Sequence, residues 1–516
     1  MSNLKLDLQK LFDLQVLLIE ADQDLLHLFR QMLSSLGIKK IETARQIDDF
    51  LQREEPLQAD VVFLDYGVDE QLTGAEIANK LIQFGILPNR TRLVLMASQN
   101  DRAQYAIEFP YHIISYLPRP FNKLNLDLEL KQHVMFSPVL KPLLTLAGIG
   151  RYQDCLKLLL HNLQQPLPTG LEPVLQRLRV QLLLDQYRYE AVVPLLRTPV
   201  AEQQGWALWA LFRLRYERGD LAACHAFLAD PSEEIARYAE RRELWQIYLA
   251  LQVEDYAKAY QVANTIPNVG MSQHLVRLVH MIMVLAGETQ RAEEFIEGKR
   301  RLAGRGELWL QLSLSHARAQ IWRLQYIVLS EEGQQSLHTA IQLLLDQLRL
   351  DKTASDYRES LLLLDVHLQL FTHGKSVAQQ HAADLAQIDW DRMSVSVLCH
   401  AAVVYHALDL TDRLLPLFVL ADQKIQRMLD NCYRIFSGCL LQHAFNLTVP
   451  LAERSQFYQQ MAAAQLQAGN MLASAKLLRR ALSYEPGNEQ LRQQIYGLMR
   501  QLGLTRFRGI NLPAAG

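Results

Sequence analysis

Beyond about residue 137 this chain repeats itself. A small residue recurs as Cys155, Ala191, Cys224, Ala259 and Ala292, at intervals of 36, 33, 35 and 33 residues. Each follows a turn: Gly150-Arg151-Tyr152, Tyr187-Arg188-Tyr189, Gly219-Asp220-Leu221, Glu254-Asp255-Tyr256 and Gly287-Glu288-Thr289. Two helices cross closely only where one presents a small side chain, and a tight turn needs glycine or a tolerant polar residue. A period of ~34 residues is that of a helix–turn–helix repeat. Residues 137–500 are therefore expected to be an all-α array of stacked helix pairs, irregular and lengthened over 300–450, with Ala340 near an equivalent place. Residues 501–516, ending Pro513-Ala514-Ala515-Gly516, read as a loose C-terminal tail.

The first 135 residues obey a different rule. Continuous apolar runs, Val16–Ile19, Asp60–Leu64, Leu93–Met96 and Ile113–Leu117, alternate with amphipathic segments over Leu25–Leu36, Gly74–Phe84 and Phe121–His133, and Lys40–Ala44 supplies a second strand. Strands without a polar face, separated by helices, belong to a parallel sheet covered on both sides. Residues 14–135 are expected to form a flavodoxin-like doubly wound α/β domain of five strands and five helices.

Composition narrows the class. At 516 residues the chain exceeds one core. The formal charge of −2 offers no global attraction to nucleic acid or anionic lipid. The start, Met1-Ser2-Asn3-Leu4-Lys5, lacks a basic-then-apolar leader, and the apolar stretch around Val279 is broken by Arg277 and His280. A soluble cytoplasmic protein is expected. Cys155, Cys224, Cys399, Cys432 and Cys439 form no CxxC pair and read as reduced, buried thiols. His400 and His406 are six apart, wrong for one helix face, and are assigned no metal.

Chemistry concentrates at three strand ends. Asp65 closes the run Val61-Val62-Phe63-Leu64, where open α/β sheets place their sites. Glu20-Ala21-Asp22 follows the first strand, and Tyr116-Leu117-Pro118-Arg119-Pro120-Phe121 ends the fifth. These motifs, with Gly74 nine residues after Asp65, resemble the receiver domain of bacterial two-component response regulators over residues 14–135. The resemblance implies that Asp65 accepts a phosphoryl group from a histidine kinase or phosphotransfer protein. It also implies Mg²⁺ on Glu20, Asp22 and Asp65, Arg119 on the phosphoryl oxygens, and Tyr116 as an aromatic that reports phosphorylation; Glu20 and Asp22 read equally as turn or helix-capping acids. In that family the peptide before Pro120 is cis. Three departures stand out: Ala21 replaces a second adjacent acid, Met96 or Ala97 replaces a hydroxyl that only Ser98 could restore, and Arg119 replaces a lysine, whose point charge differs from a planar fork.

Farther on, Tyr458, Ala462, Gly469, Leu478, Ala481-Leu482, Pro486 and Asn488 match the tetratricopeptide pattern. The resemblance implies a concave surface for an unknown protein or peptide. Trp206, Trp209, Trp245, Trp309, Trp322 and Trp390 all lie in this part and read as repeat-core packing, and Lys299-Arg300-Arg301 with Arg305 as a solvated basic cluster. No HExxH, P-loop, GxSxG or dinucleotide fingerprint appears, so enzymatic activity beyond receiver self-chemistry is not expected. A response regulator that signals through protein binding is the first expectation. A pseudo-receiver adaptor that is never phosphorylated, or a transcription regulator with a cryptic DNA-binding segment, are the competitors. Nucleic acid and membrane are not expected partners under the first.

Overall fold

The computed structural model describes residues 8–45, 56–67, 74–83, 86–98, 111–230, 232, 235, 239–266, 271, 273–303, 307–326, 328–350, 357–376, 380–428 and 431–513. Two compact units divide the chain, Met1–Ala239 and Glu240–Gly516.

In the first unit, α1 (Leu8–Phe12), β1 (Gln15–Ile19), α2 (Gln23–Ser35), β2 (Lys40–Ala44), β3 (Val61–Asp65), α3 (Gly74–Gln83), β4 (Arg92–Ser98) and β5 (Ile113–Arg119) follow in order. The five strands are all parallel, ordered β2-β1-β3-β4-β5. Strands β1, β3 and β4 are interior, so neither face of their runs meets water. Val16, Leu18, Val61, Phe63, Val94 and Met96 form one core with Phe29 and Leu33 of α2. The alternate residues Leu17, Ile19, Val62, Leu64, Leu93 and Leu95 point the opposite way and are equally buried. Strand β5 is an edge and only partly covered, which suits Pro118.

The helix expected to close the sheet domain at His133 runs on. Helix α4 spans Lys123–Gly148, opened by a reciprocal Asn122/Asn125 capping box and containing Pro138 and Pro142. Its first half sets Leu126, Leu130 and Val134 on the sheet core. Its second half buries Leu140, Leu143, Leu144 and Ala147, and the Cys155 thiol donates to the Leu143 carbonyl at 3.1 Å. Each proline removes one helical hydrogen bond, yet apolar burial on both sides of the pair keeps the helix going. Residues 135–137, where the two expected domains meet, are thus inside a helix. Arg92, at 3% exposure, anchors this helix to β4 through Glu129 and Gln132, each at 2.6 Å.

Helices α5 (Tyr152–Asn162), α6 (Leu171–Asp185), α7 (Tyr189–Ala201), α8 (Gly205–Arg218) and α9 (Leu221–Ala229) complete the first unit. The second holds α10 (Ala239–Gln252), α11 (Tyr256–Thr265), α12 (Gln273–Leu285), α13 (Thr289–Leu302), α14 (Glu307–Tyr326), α15 (Glu331–Arg349), α16 (Arg358–Thr372), α17 (Ala382–Ala386), α18 (Val395–Ala407), α19 (Leu414–Arg427), α20 (Asn431–Thr448), α21 (Arg454–Gln467), α22 (Met471–Tyr484) and α23 (Glu489–Gln501). Among the described residues no single helix is long and apolar enough to cross a membrane.

The repeat has a sharper register than the small residues alone imply. Helices α5, α7, α9, α11 and α13 each start two residues after a left-handed backbone position: Gly150, Tyr187, Gly219, Glu254 and Gly287, with φ between 59° and 82°. Their fourth residues are Cys155, Val192, Cys224, Ala259 and Ala292, all buried to 1% exposure or less. In the second repeat Val192 takes that place and Ala191 is exposed. Ala340 is also exposed, while Ile341 carries the burial.

Within the second unit, contacts join residues far apart in sequence. Arg454 at the start of α21 pairs with Glu254 after α10, and Arg480 of α22 donates to the Tyr248 hydroxyl at 3.0 Å. A stack bound only through sequence neighbours has no such contacts. The segment expected as a loose tail also folds: Arg506–Phe507 pairs antiparallel with Ile510–Asn511, and Phe507 is fully buried. The basic cluster is not a solvated loop either. Arg300 lies in the last turn of α13, 8% exposed, against Glu297 and Ser313, while Arg305 is outside the described residues.

Candidate functional site

Asp65 is the last residue of β3, and its side chain is 11% exposed. A chain that has just left a buried central strand keeps most of its apolar surroundings, so the carboxyl pays for its charge. Burial pushes it up to about 6, opposed by the Arg119 charge and by the Tyr66 and Gly67 backbone N–H groups, and reinforced by Glu20. Gly74 shapes the turn that follows. Its N–H donates to the Tyr66 carbonyl at 2.8 Å, and a Cβ there would lie 2.8 Å from Tyr66 Cα and 3.2 Å from the Asp65 carbonyl oxygen. Only glycine fits so near the backbone.

Arg119, the last residue of β5, reaches across the strand between them. Its Nη2 is 3.0 Å from Asp65 Oδ1 and also bonds Glu20 Oε2. The peptide joining Arg119 to Pro120 is cis. Glu20, 5% exposed in its side chain, accepts the Asp22 N–H on its other oxygen at 3.1 Å. Asp65, Glu20 and Arg119 therefore converge as expected from their strand ends. Asp22 is differently employed: its Oδ1 accepts from the Asp24 and Leu25 N–H groups at 2.9 and 3.1 Å and caps α2.

That arrangement does not fit a divalent cation. Two of the three carboxylates are engaged by one guanidinium and the third by a helix N-terminus. Among the described residues no group of three or more His, Cys, Asp or Glu side chains could hold a metal ion. The cation at the centre of the acids is Arg119 itself.

The remaining expected positions are peripheral. Tyr116 is half-buried on β5, paired in register with Leu95, on the opposite face from Arg119. Met96, opposite Asp65 in register, is 1% exposed and belongs to the apolar core; Ala97 offers a methyl group only. The Ser98 side chain is outside the described ones.

Sequence patterning passed over a second cluster in the same unit. Tyr111, two residues before β5, has φ of 69° and donates its hydroxyl to Asp185 Oδ2, the last residue of α6. Arg213 of α8 meets Asp185 Oδ1 at 2.6 Å, Gln181 donates to Oδ2 at 2.9 Å, and the Tyr111 and Tyr152 rings stack at 5.5 Å. Burial alone would raise the Asp185 carboxyl, but Arg213 and the Tyr111 bond outweigh it and hold it below the usual range. The one visible signal was an apolar helix ending in a lone acid, Leu182-Leu183-Leu184-Asp185.

No protein-family model matches the chain, and neither does any curated protein or solved structure.

Proposed function

We propose that the chain is a response regulator of the two-component kind, with a flavodoxin-like receiver at its N-terminus and a tetratricopeptide-type array as output. Asp65 is the phosphoacceptor. The observation that carries this reading is the Asp65–Arg119 ion pair, 3.0 Å long, at the C-terminal edge of a parallel sheet of order β2-β1-β3-β4-β5. A carboxylate oxygen of Asp65 attacks phosphorus in a phosphohistidine or small acyl phosphate. A P–O bond forms, the P–N or P–O bond to the donor breaks, and the donor leaves with its electron pair. Arg119 then exchanges one carboxylate partner for phosphoryl oxygens, supplying the charge neutralisation through its planar fork. The readout is a changed packing of the helices that Tyr111 and α4 tie to the sheet, and the output is protein binding.

Incubation of the full chain with acetyl phosphate, with and without Mg²⁺, tests it by intact mass. The expected result is one added phosphoryl group, lost in Asp65→Asn. No addition under either condition sinks the phosphoacceptor reading.

A second reading, a pseudo-receiver adaptor that docks a kinase or regulator without chemistry, is favoured by one feature. Arg119 holds Glu20 as well as Asp65 and so fills the acidic site with the protein's own cation. Under that reading the mass stays unchanged while a partner still co-purifies with the chain.

A further inference from the structure

Among the described residues of the second unit, Arg277 and Arg318 lie together with no carboxylate paired to either. Arg277 on α12 donates from Nε to Ser315 Oγ and from Nη2 to Ser396 Oγ, both at 3.0 Å. Arg318 on α14 donates from Nη1 to the same Ser396 Oγ at 3.1 Å. Three other sheltered arginines of this unit have acids: Arg300 has Glu297, Arg323 has Glu293 and Arg454 has Glu254. Removing a guanidinium from water is costly unless a charge compensates it, and two side by side compound the cost. Burial first, and Arg277 second, push Arg318 down to about 9.

Hydrogen-bond bookkeeping points the same way. The Ser396 oxygen accepts from both guanidiniums, and among the described residues neither its own proton nor that of Ser315 has a protein acceptor. Arg318 Nε also lacks a partner. Among the described residues the cluster presents positive charge with two hydroxyl oxygens as acceptors and no carboxylate. Arg277, Ser315 and Ser396 are each mostly buried with part of the residue exposed, and Arg318 is 8% exposed. Arg277 itself is braced over the Phe436 ring at 5.2 Å.

We propose that Arg277, Arg318, Ser315 and Ser396 form a binding site for a phosphate group, built where α12, α14 and α18 meet. Two guanidinium forks and two hydroxyls from three helices offer more donors than one planar carboxylate can use. A tetrahedral oxyanion with several free oxygens and up to two charges matches them in number and charge. The site is separate from Asp65 and stands whether or not Asp65 is phosphorylated. It makes the helical array a sensor of a phosphorylated small molecule or of phosphate itself.

Calorimetric titration of the full chain at pH 7.5, in chloride of matched ionic strength, tests this with sodium phosphate, AMP and acetate. Saturable binding of phosphate or AMP, with none of acetate, is expected. Binding should weaken about tenfold or more in Arg277→Gln and in Ser396→Ala. AMP binding tighter than phosphate identifies a phosphomonoester as the source, and equal affinities identify free phosphate. Ser396→Ala removes only a hydroxyl and keeps the test alive should Arg277→Gln not fold. Absence of saturable phosphate and AMP binding, equal binding of acetate, or binding unchanged in a folded variant overturns the proposal.

Discussion

Arg119 and Asp65 are joined at 3.0 Å although β5 and β3, which carry them, are separated by β4. The pair is a tertiary contact of two strand ends, and a third strand end supplies Glu20 to the same guanidinium. The charge state of Asp65 is thus set first by its burial and next by Arg119, more than fifty positions away, with Glu20 and the Tyr66 and Gly67 N–H groups as smaller influences.

A nucleophilic carboxyl must be ionised. With Asp65 raised to about 6, its reaction with acetyl phosphate should climb as pH rises through about 6 and level off above about 7. Arg119→Gln removes the charge that opposes burial, so the midpoint should move up by about one unit or more, beside any fall in the plateau rate. Rates of phosphoryl incorporation measured from pH 5 to 8.5 check this. An unmoved midpoint in Arg119→Gln rejects Arg119 as the group that ionises Asp65.

Stability carries the same signature with a definite sign. An acid whose folded pKa lies above its unfolded value contributes stability that is fully present below the unfolded pKa, near 4, and lost as pH rises through about 6. Asp65→Asn deletes that term. Relative to the parent chain, the variant should gain about 1 kcal/mol between pH 4 and pH 7.5, the full linkage being discounted for residual solvent screening. Denaturant unfolding of both chains at the two pH values measures the difference, and a gain toward acid pH instead contradicts it.

Gly74→Ala should damage the site without touching a charged group. The added methyl meets Tyr66 Cα at 2.8 Å, an atom that no rotamer change can move aside. The Asp65–Tyr66 turn must shift, and near-attack geometry tolerates little displacement. A cost of about 1–3 kcal/mol and a fall of about tenfold or more in phosphoryl incorporation are expected. Gly148, the last residue of α4, is a control, because the nearest atoms a methyl there would meet are those at the movable end of the Asn89 side chain.

Much of this architecture was legible because its signals are local. Lys40–Ala44 is β2 to the residue, and the runs around Val62 and Val94 are interior strands because nothing polar interrupts them. The Asp65, Glu20 and Arg119 strand ends were legible for the same reason. What was not settled by pattern depends on burial and on where each helix starts. Asp22 has the right chemistry for a metal and is taken by the helix directly after it. Pro138 and Pro142 signal a stop that burial of Leu140, Leu143 and Leu144 overrides. Ala191 is the smaller residue, but the turn at Tyr187 sets the helix start, so Val192 faces inward. Phe507 is fully buried, and beside it Arg479 of α22 donates to the Arg508 carbonyl at 2.8 Å, a contact that the local pattern does not announce.

The Tyr111–Asp185–Arg213 cluster yields a graded prediction. Tyr111→Phe removes a single hydrogen bond to a carboxylate and should cost about 1.5 kcal/mol. Asp185→Ala removes the acid from Arg213 and leaves a sheltered guanidinium uncompensated, so its cost should be larger, about 2–3 kcal/mol at the exposure these side chains keep. In Asp185→Ala the tyrosine has already lost its acceptor. Adding Tyr111→Phe to that background should therefore cost little, a coupling of about 1 kcal/mol in a double-mutant cycle. The cluster also ties the segment entering β5 to α6 and α8 of the same unit. If the helices report on Asp65, Tyr111→Phe should leave phosphoryl incorporation near the parent rate while lowering the change in protease protection of α6–α8 that incorporation produces. Full protection changes in Tyr111→Phe, with additive unfolding costs, would show that the contact is only structural.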